Sequence, residues 1–316
     1  MPCVYFKKCA LIATAWMSGF ISAAMCGDVP APTPAIINPP PAPSEATRAG
    51  YHFTVNKHIL YTYVLKQTTS FLSAGDELNY ITTLTWKFAL TPTVVSENQA
   101  QLAITIVRVQ ATHDGPGSRR QVDSGLPIEQ DGHEDPLLGH LIAFAGAELI
   151  VTLNPNTGNV SSVTGGDAVV ARINKMVPAA SPVETPPLDG AAKAAFSNEA
   201  LTRMWQQLLS LPTNEPVVVP LGPPLQGALE RRWQELNWTD ALPKGTDRLQ
   251  ASILPDPKPV AVTVSNVAGS GSRSIKDGVP GPGNGKLTFE LVFQALTQPV
   301  IQRHSVFWEL TPLPLR

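Results

Sequence analysis

Leu78-Asn79-Tyr80-Ile81-Thr82-Thr83-Leu84-Thr85-Trp86-Lys87-Phe88-Ala89-Leu90 is the stretch on which the fold turns. Leu78, Tyr80, Leu84, Trp86, Phe88 and Leu90 share one parity, with Thr82 among them. Ile81, Thr83, Thr85, Lys87 and Ala89 share the other. A period of 2 marks a strand with one buried face. β-branched and aromatic residues suit the pleated, half-buried surface of a sheet. At a rise of about 3.3 Å per residue the stretch spans roughly 43 Å, about twice a typical strand. A strand of that length belongs to a broad antiparallel sheet whose aromatic face needs cover. Trp86, in mid-strand on the aromatic parity, is expected in the core.

The neighbouring segments supply partners. Tyr61, Tyr63 and Leu65 alternate with Leu60, Thr62 and Val64, and Ser73-Ala74-Gly75-Asp76-Glu77 reads as a turn. The two strands therefore form a long hairpin. Gln101 to Val109 is a third strand, Asp114-Gly115-Pro116-Gly117 a turn, and Arg119 to Ser124 a fourth strand. Asp135 is placed to cap a short apolar helix through Leu137, Leu138, Leu141, Ile142 and Phe144, with Gly146 at its end. Glu148 to Leu153 and Val160 to Val163 flank a turn at residues 154–159, and Asp167 starts a helix that ends before Pro178. Ser197 opens the clearest helix, Ser197 to Leu211, in which Leu201, Met204, Trp205, Leu208 and Leu209 form one apolar stripe. Val217 to Val219, Leu249 to Leu254, Val260 to Val267, the run Leu287, Phe289, Leu291, Phe293, and the run Val306, Trp308, Leu310 read as further strands. Leu229 to Trp238 fits helix or strand. The proline-rich stretch 178–190 reads as a loose insert, and the Gly/Ser/Pro-rich 269–286 as a flexible loop.

Composition bounds the class. Of 316 residues, 43% are hydrophobic and only 15% charged, with 31 prolines and a formal net charge of −2. A core is affordable, and the basic face of a nucleic-acid binder is missing. Residues 1–26 read as a signal peptide: Lys7 and Lys8, an uncharged apolar run from Ala10 to Met25, and small residues at Ser22, Ala23 and Ala24. The chain is thus expected to be exported to the periplasm or beyond. Cys26 is a possible lipidation site, although Met25 is not the small residue such sites favour. Membrane contact is expected only through that anchor. Cys3, Cys9 and Cys26 all lie in the leader, which removes disulfides, thiolate zinc sites and a cysteine nucleophile from the folded part. Residues 27–50 are a Pro/Ala-rich linker, and 51–316 a single β-rich domain.

Chemical motifs are sparse. Gly281-Pro282-Gly283-Asn284-Gly285-Lys286 lacks the first glycine and the final Ser or Thr of a phosphate loop, with Pro280 and Leu287 in those places. His133-Glu134-Asp135 with His140 has the wrong spacing for a zinc helix. No nucleophile elbow occurs, and His52, His58, His113 and His304 are scattered along strands. Asn159-Val160-Ser161 and Asn237-Trp238-Thr239 match glycosylation sequons. No catalytic, cofactor or metal residue is assigned. The residues expected to face an apolar ligand are Tyr61, Tyr63, Trp86, Phe88, Trp205 and Leu208.

The layout resembles an exported bacterial domain family of unknown function. The residues that carry the likeness are Tyr61-x-Tyr63-x-Leu65-x-Gln67, the Trp86 strand, Asp135-Pro136-Leu137-Leu138, Gly146 and the turn through Gly158-Asn159-Val160, over about 51–222. Pro223-Pro224 depart from the family's acidic segment after Gly222. The resemblance implies an α+β fold, a broad curved antiparallel sheet with a few helices packed on its concave face, similar to lipoprotein carriers, and it brings no activity. Three functional readings follow: a non-catalytic envelope module binding an apolar small molecule or a protein partner; a structural or assembly protein without a cavity; and a hydrolase with dispersed catalytic residues. In the first, the ligand lies between the helix 197–211 and the sheet.

Overall fold

The computed structural model describes residues 50–73, 76–135, 137–176, 196–220, 228–253, 260–293 and 300–314. The leader, Cys26, nearly all of the linker and the insert 178–190 lie outside the described residues. Within them one antiparallel sheet dominates. Its strands are β1 (Ile59–Ser73), β2 (Asp76–Val95), β3 (Ala100–Gly115), β4 (Ser118–Asp123), β5 (Glu148–Asn154) and β6 (Asn159–Thr164). After two helices, α1 (Gly166–Met176) and α2 (Asn198–Leu209), come β7 (Val217–Pro220), β8 (Ala228–Gln234), β9 (Asn237–Ala241), β10 (Leu249–Ile253), β11 (Val260–Lys276), β12 (Val279–Phe293) and β13 (Val300–Pro312). The order is β6-β5-β3-β2-β1-β13-β12-β11-β9-β8-β7, with β4 also on β3 and β10 also on β11.

The expected hairpin is present, with Tyr63 opposite Trp86 and Leu65 opposite Leu84. Leu84, Trp86, Phe88 and Leu90 are buried, as period 2 requires, and Trp86 is only 1% exposed. The last strand closes on the first, with Leu65 opposite Trp308. β3 forks: its first half pairs with β5 and its second with β4. Between the halves Lys87 faces Arg108 and Phe88 faces Ile106, so Val107 is an extra residue. This bulge switches the buried parity from Ile106 to Val109 and turns Val107 out to 60% exposure.

Residues 229–238 resolve as strands, because Glu235 takes φ 55 and turns β8 into β9. The apolar segment after Asp135 is a short 3-10 helix, Gly139–Phe144, rather than an α-helix. Asp135 does not cap this helix, whose N-cap is Leu138 with no side-chain bond; its Oδ1 holds the turn before it, accepting from Leu137 N at 2.8 Å and Leu138 N at 2.9 Å. Gly146 N then donates to Ile106 O at 2.7 Å, which pulls the chain onto the sheet edge after one short turn. Arg172 of α1 donates to the carbonyls of Ala143, Ala145 and Gly146 at that turn's end. α2 is capped by Ser197, whose side chain accepts from Ala200 N at 3.2 Å.

Residues 269–286 are not a flexible loop. They lie in the β11–β12 hairpin, joined by a two-residue turn in which Asp277 has φ 53 and Gly278 φ 75. Two successive positive φ values match the twist of a tight hairpin, and Asp-Gly is the preferred pair for them.

The sheet is rolled. Tyr51 N donates to Pro155 O in the β5–β6 turn at 2.8 Å, and His52 N donates to Gly278 O in the β11–β12 turn at 2.6 Å. Five steps of strand order separate β5 from β12. Laid flat, five steps would span roughly 24 Å, whereas consecutive residues are about 3.8 Å apart. Tyr61 OH, reaching over β13 to Pro280 O at 2.8 Å, fits the same curvature.

Candidate functional site

All six residues expected to face a ligand are buried on or against one face of the sheet. Phe88 meets Trp205 edge-on at 5.4 Å and stacks on Tyr61 at 5.4 Å. Tyr63 lies 6.0 Å from Trp86, and Trp86 lies 4.8 Å from Phe144 of the 3-10 helix. Burial raises the pKa of the Tyr61 and Tyr63 hydroxyls above the usual tyrosine value. α2 therefore does bring Trp205 onto the aromatic strand. The space left between them is small: Tyr63, Leu65, Leu84, Trp86, Met204, Leu208 and Trp308 border a void of about 10 Å³. That is about the room of a single water, far below the few hundred Å³ of a ligand pocket. The indole Nε1 of Trp86 and that of Trp205 are buried without an acceptor among the described residues.

A second cluster was invisible in the sequence reading. Trp238 on β9, Gly271 on β11, Gly285 on β12 and Trp308 on β13 occupy one row across four neighbouring strands. The two indoles lean over the glycines and stack on each other, 5.8 Å apart and 14° from parallel. A Cβ at Gly285 would come within 2.5 Å of Trp308 Nε1 and 3.0 Å of Trp238 Cζ2. Glycine is required there because a ring lies flat on the backbone. Arg273 sits over both rings, 5.5 Å from Trp238 and 5.6 Å from Trp308. Arg231 sits 4.8 Å over Trp238 and forks onto Asp240 with bonds of 2.7 and 2.8 Å.

The stack anchors α2. Arg273 Nη1 donates to Leu208 O, and Tyr51 OH donates to Leu209 O at 3.1 Å. A cation at the negative end of a helix is favourable, which offsets burial that holds the Arg273 guanidinium down to about 10. Beside the stack, Gln207, Arg231, Asp240, Trp238 and Trp308 help to line a hollow of about 30 Å³, room for a water or two. The alternation of glycine at 269 and 271, and at 281, 283 and 285, was the available signal. A period of 2 in glycine marks a strand face reserved for something flat.

The histidines do not converge. Nδ1 of His133 shares a 2.7 Å hydrogen bond with Asp131, which raises its pKa. Asp135 is occupied by the turn and by Arg120 at 3.1 Å. His140 is buried against Phe196, and burial pushes it down to about 4. His304 stacks on Phe289 at 4.9 Å, contacts Thr69 and Gln302, and is pushed down to about 3 by burial. His113 shares a 2.9 Å bond with Thr82, and burial, then Arg120, lowers its pKa. Among the described residues no group of three or more His, Cys, Asp or Glu is placed to hold a metal ion.

No family of known proteins matches the sequence, and no curated protein does. Among solved structures, lipovitellin, from a study of its lipid–protein interactions, is similar at 12% identity and a TM-score of 0.41. That match covers 84% of this chain and 26% of the other, so the chain spans about a quarter of lipovitellin. DynF of the dynemicin biosynthesis pathway of Micromonospora chersina matches at 11% identity and a TM-score of 0.18, over 86% of this chain and 92% of that one. An outer membrane channel of Pseudomonas putida matches at 9% and 0.23, over 87% and 100%. At these scores none of the three carries fold or function to this chain.

Proposed function

We propose that the protein is an exported, non-catalytic binding module that engages a protein partner at its surface rather than carrying an apolar molecule inside. The observation behind this reading is how little space is left, among the described residues, between α2 and the aromatic strands. The residues on which an internal ligand would rest close to about 10 Å³. In this reading the helices together fill the concave face of a cup like that of lipoprotein carriers, and they fill it as core.

The surface offers a place for a partner. Arg108 forks onto Asp123 with bonds of 2.8 and 2.6 Å, and Gln110 Nε2 donates to the same carboxylate at 2.8 Å. Gly125 N donates to Asp123 Oδ1 at 2.9 Å, and Ser124 Oγ accepts from Val109 N at 2.9 Å. This frame holds Leu126 at 41% and Ile128 at 64% exposure, in the loop tied to the Val107 bulge through Arg108. Branched apolar side chains presented on a well-bonded loop are what a protein-binding surface supplies.

A second reading keeps the apolar ligand and lets α2 shift to admit it. It is favoured by the orphaned indole N–H groups of Trp86 and Trp205, each of which costs about 1–3 kcal/mol unless an acceptor arrives. Native mass spectrometry of the mature chain, purified gently, decides between them. The polypeptide mass alone is expected. A stoichiometric adduct of lipid mass, weakened by Trp205→Ala more than the melting temperature is, would overturn the first reading for the second.

A further inference from the structure

Among the described residues the path of strands ends at β6, Asn159-Val160-Ser161-Ser162-Val163-Thr164. Protected sheet edges carry charges or prolines that discourage pairing. β6 carries neither, and its β-branched residues favour pairing. At the opposite end, β7 is four residues long, with Pro216 before it and Pro220 as its last residue, which guards it by length and by the missing N–H groups.

In place of a strand, α2 lies along β6. Asn198, Thr202 and Gln206 are spaced i, i+4 and i+8, so they form one stripe of the helix. Asn198 Oδ1 accepts from Gly166 N at 3.0 Å, Thr202 Oγ1 from Val163 N at 2.9 Å, and Gln206 Oε1 from Val160 N at 2.6 Å. The Thr202 hydroxyl proton goes to Asn198 O at 2.7 Å, which leaves its oxygen to accept. Both ends of the contact need glycine. A Cβ at Gly166 would come within 2.5 Å of Phe196 O, and one at Gly158, which has φ +65, would overlap Leu209 O. The other stripe of α2, with Leu201, Trp205 and Leu208, is buried in the core.

We propose that β6 is a self-pairing edge held shut by α2, whose three polar side chains serve as a surrogate strand, and that undocking α2 from that edge lets β6 pair antiparallel with β6 of a second copy of this chain. The occupant is a second copy because the strand is self-complementary. A two-fold axis sets six uncharged residues against themselves, so no like charges meet. The device is autoinhibitory: the element that completes the core also blocks the edge. It does not depend on which partner the Leu126–Ile128 loop meets.

The test uses the full mature chain and the triple variant Asn198→Ala/Thr202→Val/Gln206→Leu, which removes the three acceptors that hold α2 on the edge. Amide exchange is followed at Val160, Val163 and Gly166, and mass by light scattering over a range of concentrations. The native chain should be monomeric with the three amides protected. In the dilute variant those amides should exchange at least about tenfold faster, and at high concentration a dimer should form in which Val160 and Val163 are protected again. Unchanged exchange, or fast exchange in a chain that stays monomeric at every concentration, overturns the proposal. Should circular dichroism show the triple variant unfolded, Thr202→Val alone decides. Faster exchange at Val163 with a concentration-dependent dimer supports the proposal, and an unaltered chain overturns it.

Discussion

Gly285→Ala asks whether the glycine-rich 269–286 is a loop or a strand beneath two indoles. The change adds one methyl group. In a flexible loop with compatible backbone it would be neutral or would stabilise by about 0.4–1 kcal/mol, by restricting the unfolded chain. In the structure the new Cβ meets Trp308 at 2.5 and 2.7 Å and Trp238 at 3.0 Å. Neither ring has an easy retreat, because they stack on each other and lie under Arg273. Overpacking of this kind costs about 1–3 kcal/mol, and each kcal/mol lowers the melting temperature of a domain this large by about 2–4 °C. Differential scanning calorimetry should therefore show a fall for Gly285→Ala and almost none for Lys286→Ala, whose exposed side chain is on the opposite parity. The near-ultraviolet dichroism of the stacked indoles should weaken in the first variant alone. A Gly285→Ala protein as stable as the parent, with its indole signal intact, would refute the placement of both tryptophans.

Two further outcomes follow from the core and its histidines. Trp86→Ala should cost about 3–5 kcal/mol in chemical denaturation, while Lys87→Ala on the outer face should stay within about 0.5 kcal/mol; equal effects would mean the parity of β2 is wrong. The His304 imidazole is held at about 3 and that of His140 at about 4, both by burial, against 6.5 when unfolded. Between those values the unfolded chain binds more protons than the folded one. Stability is therefore whole above pH about 6.5 and is lost as pH falls towards 3–4, at up to about 1.4 kcal/mol per pH unit for each ring. Denaturation at pH 7, 5.5 and 4 should show that slope, and His304→Gln should flatten it; an identical slope in the variant would remove His304 as a contributor.

Period-2 alternation was enough to read β1, β2, β3 and β13 as strands and to separate their buried from their open faces, because a strand's two faces are set by residue spacing alone. The stripe and cap of α2 were legible for the same kind of reason: both are contacts between residues a few positions apart. Asp277-Gly278 is a hairpin-turn pair, but it lies in a run of glycine and proline that reads as a flexible loop. What those glycines are for could not be read locally. Trp238 and Trp308 reach them from strands that are distant in sequence and neighbours only once β13 and β9 have paired. The bulge at Val107 was equally out of reach, since alternation counts residues on one strand and a bulge is a mismatch between two. The sequence by itself determined a long, aromatic, half-buried sheet and a helix able to cover it. Whether that cover leaves a cavity was decided only by tertiary packing. The volume between two apolar faces depends on how far the sheet rolls and how closely Trp205, Phe88, Trp86 and Phe144 interlock, and none of those distances is a property of any one segment.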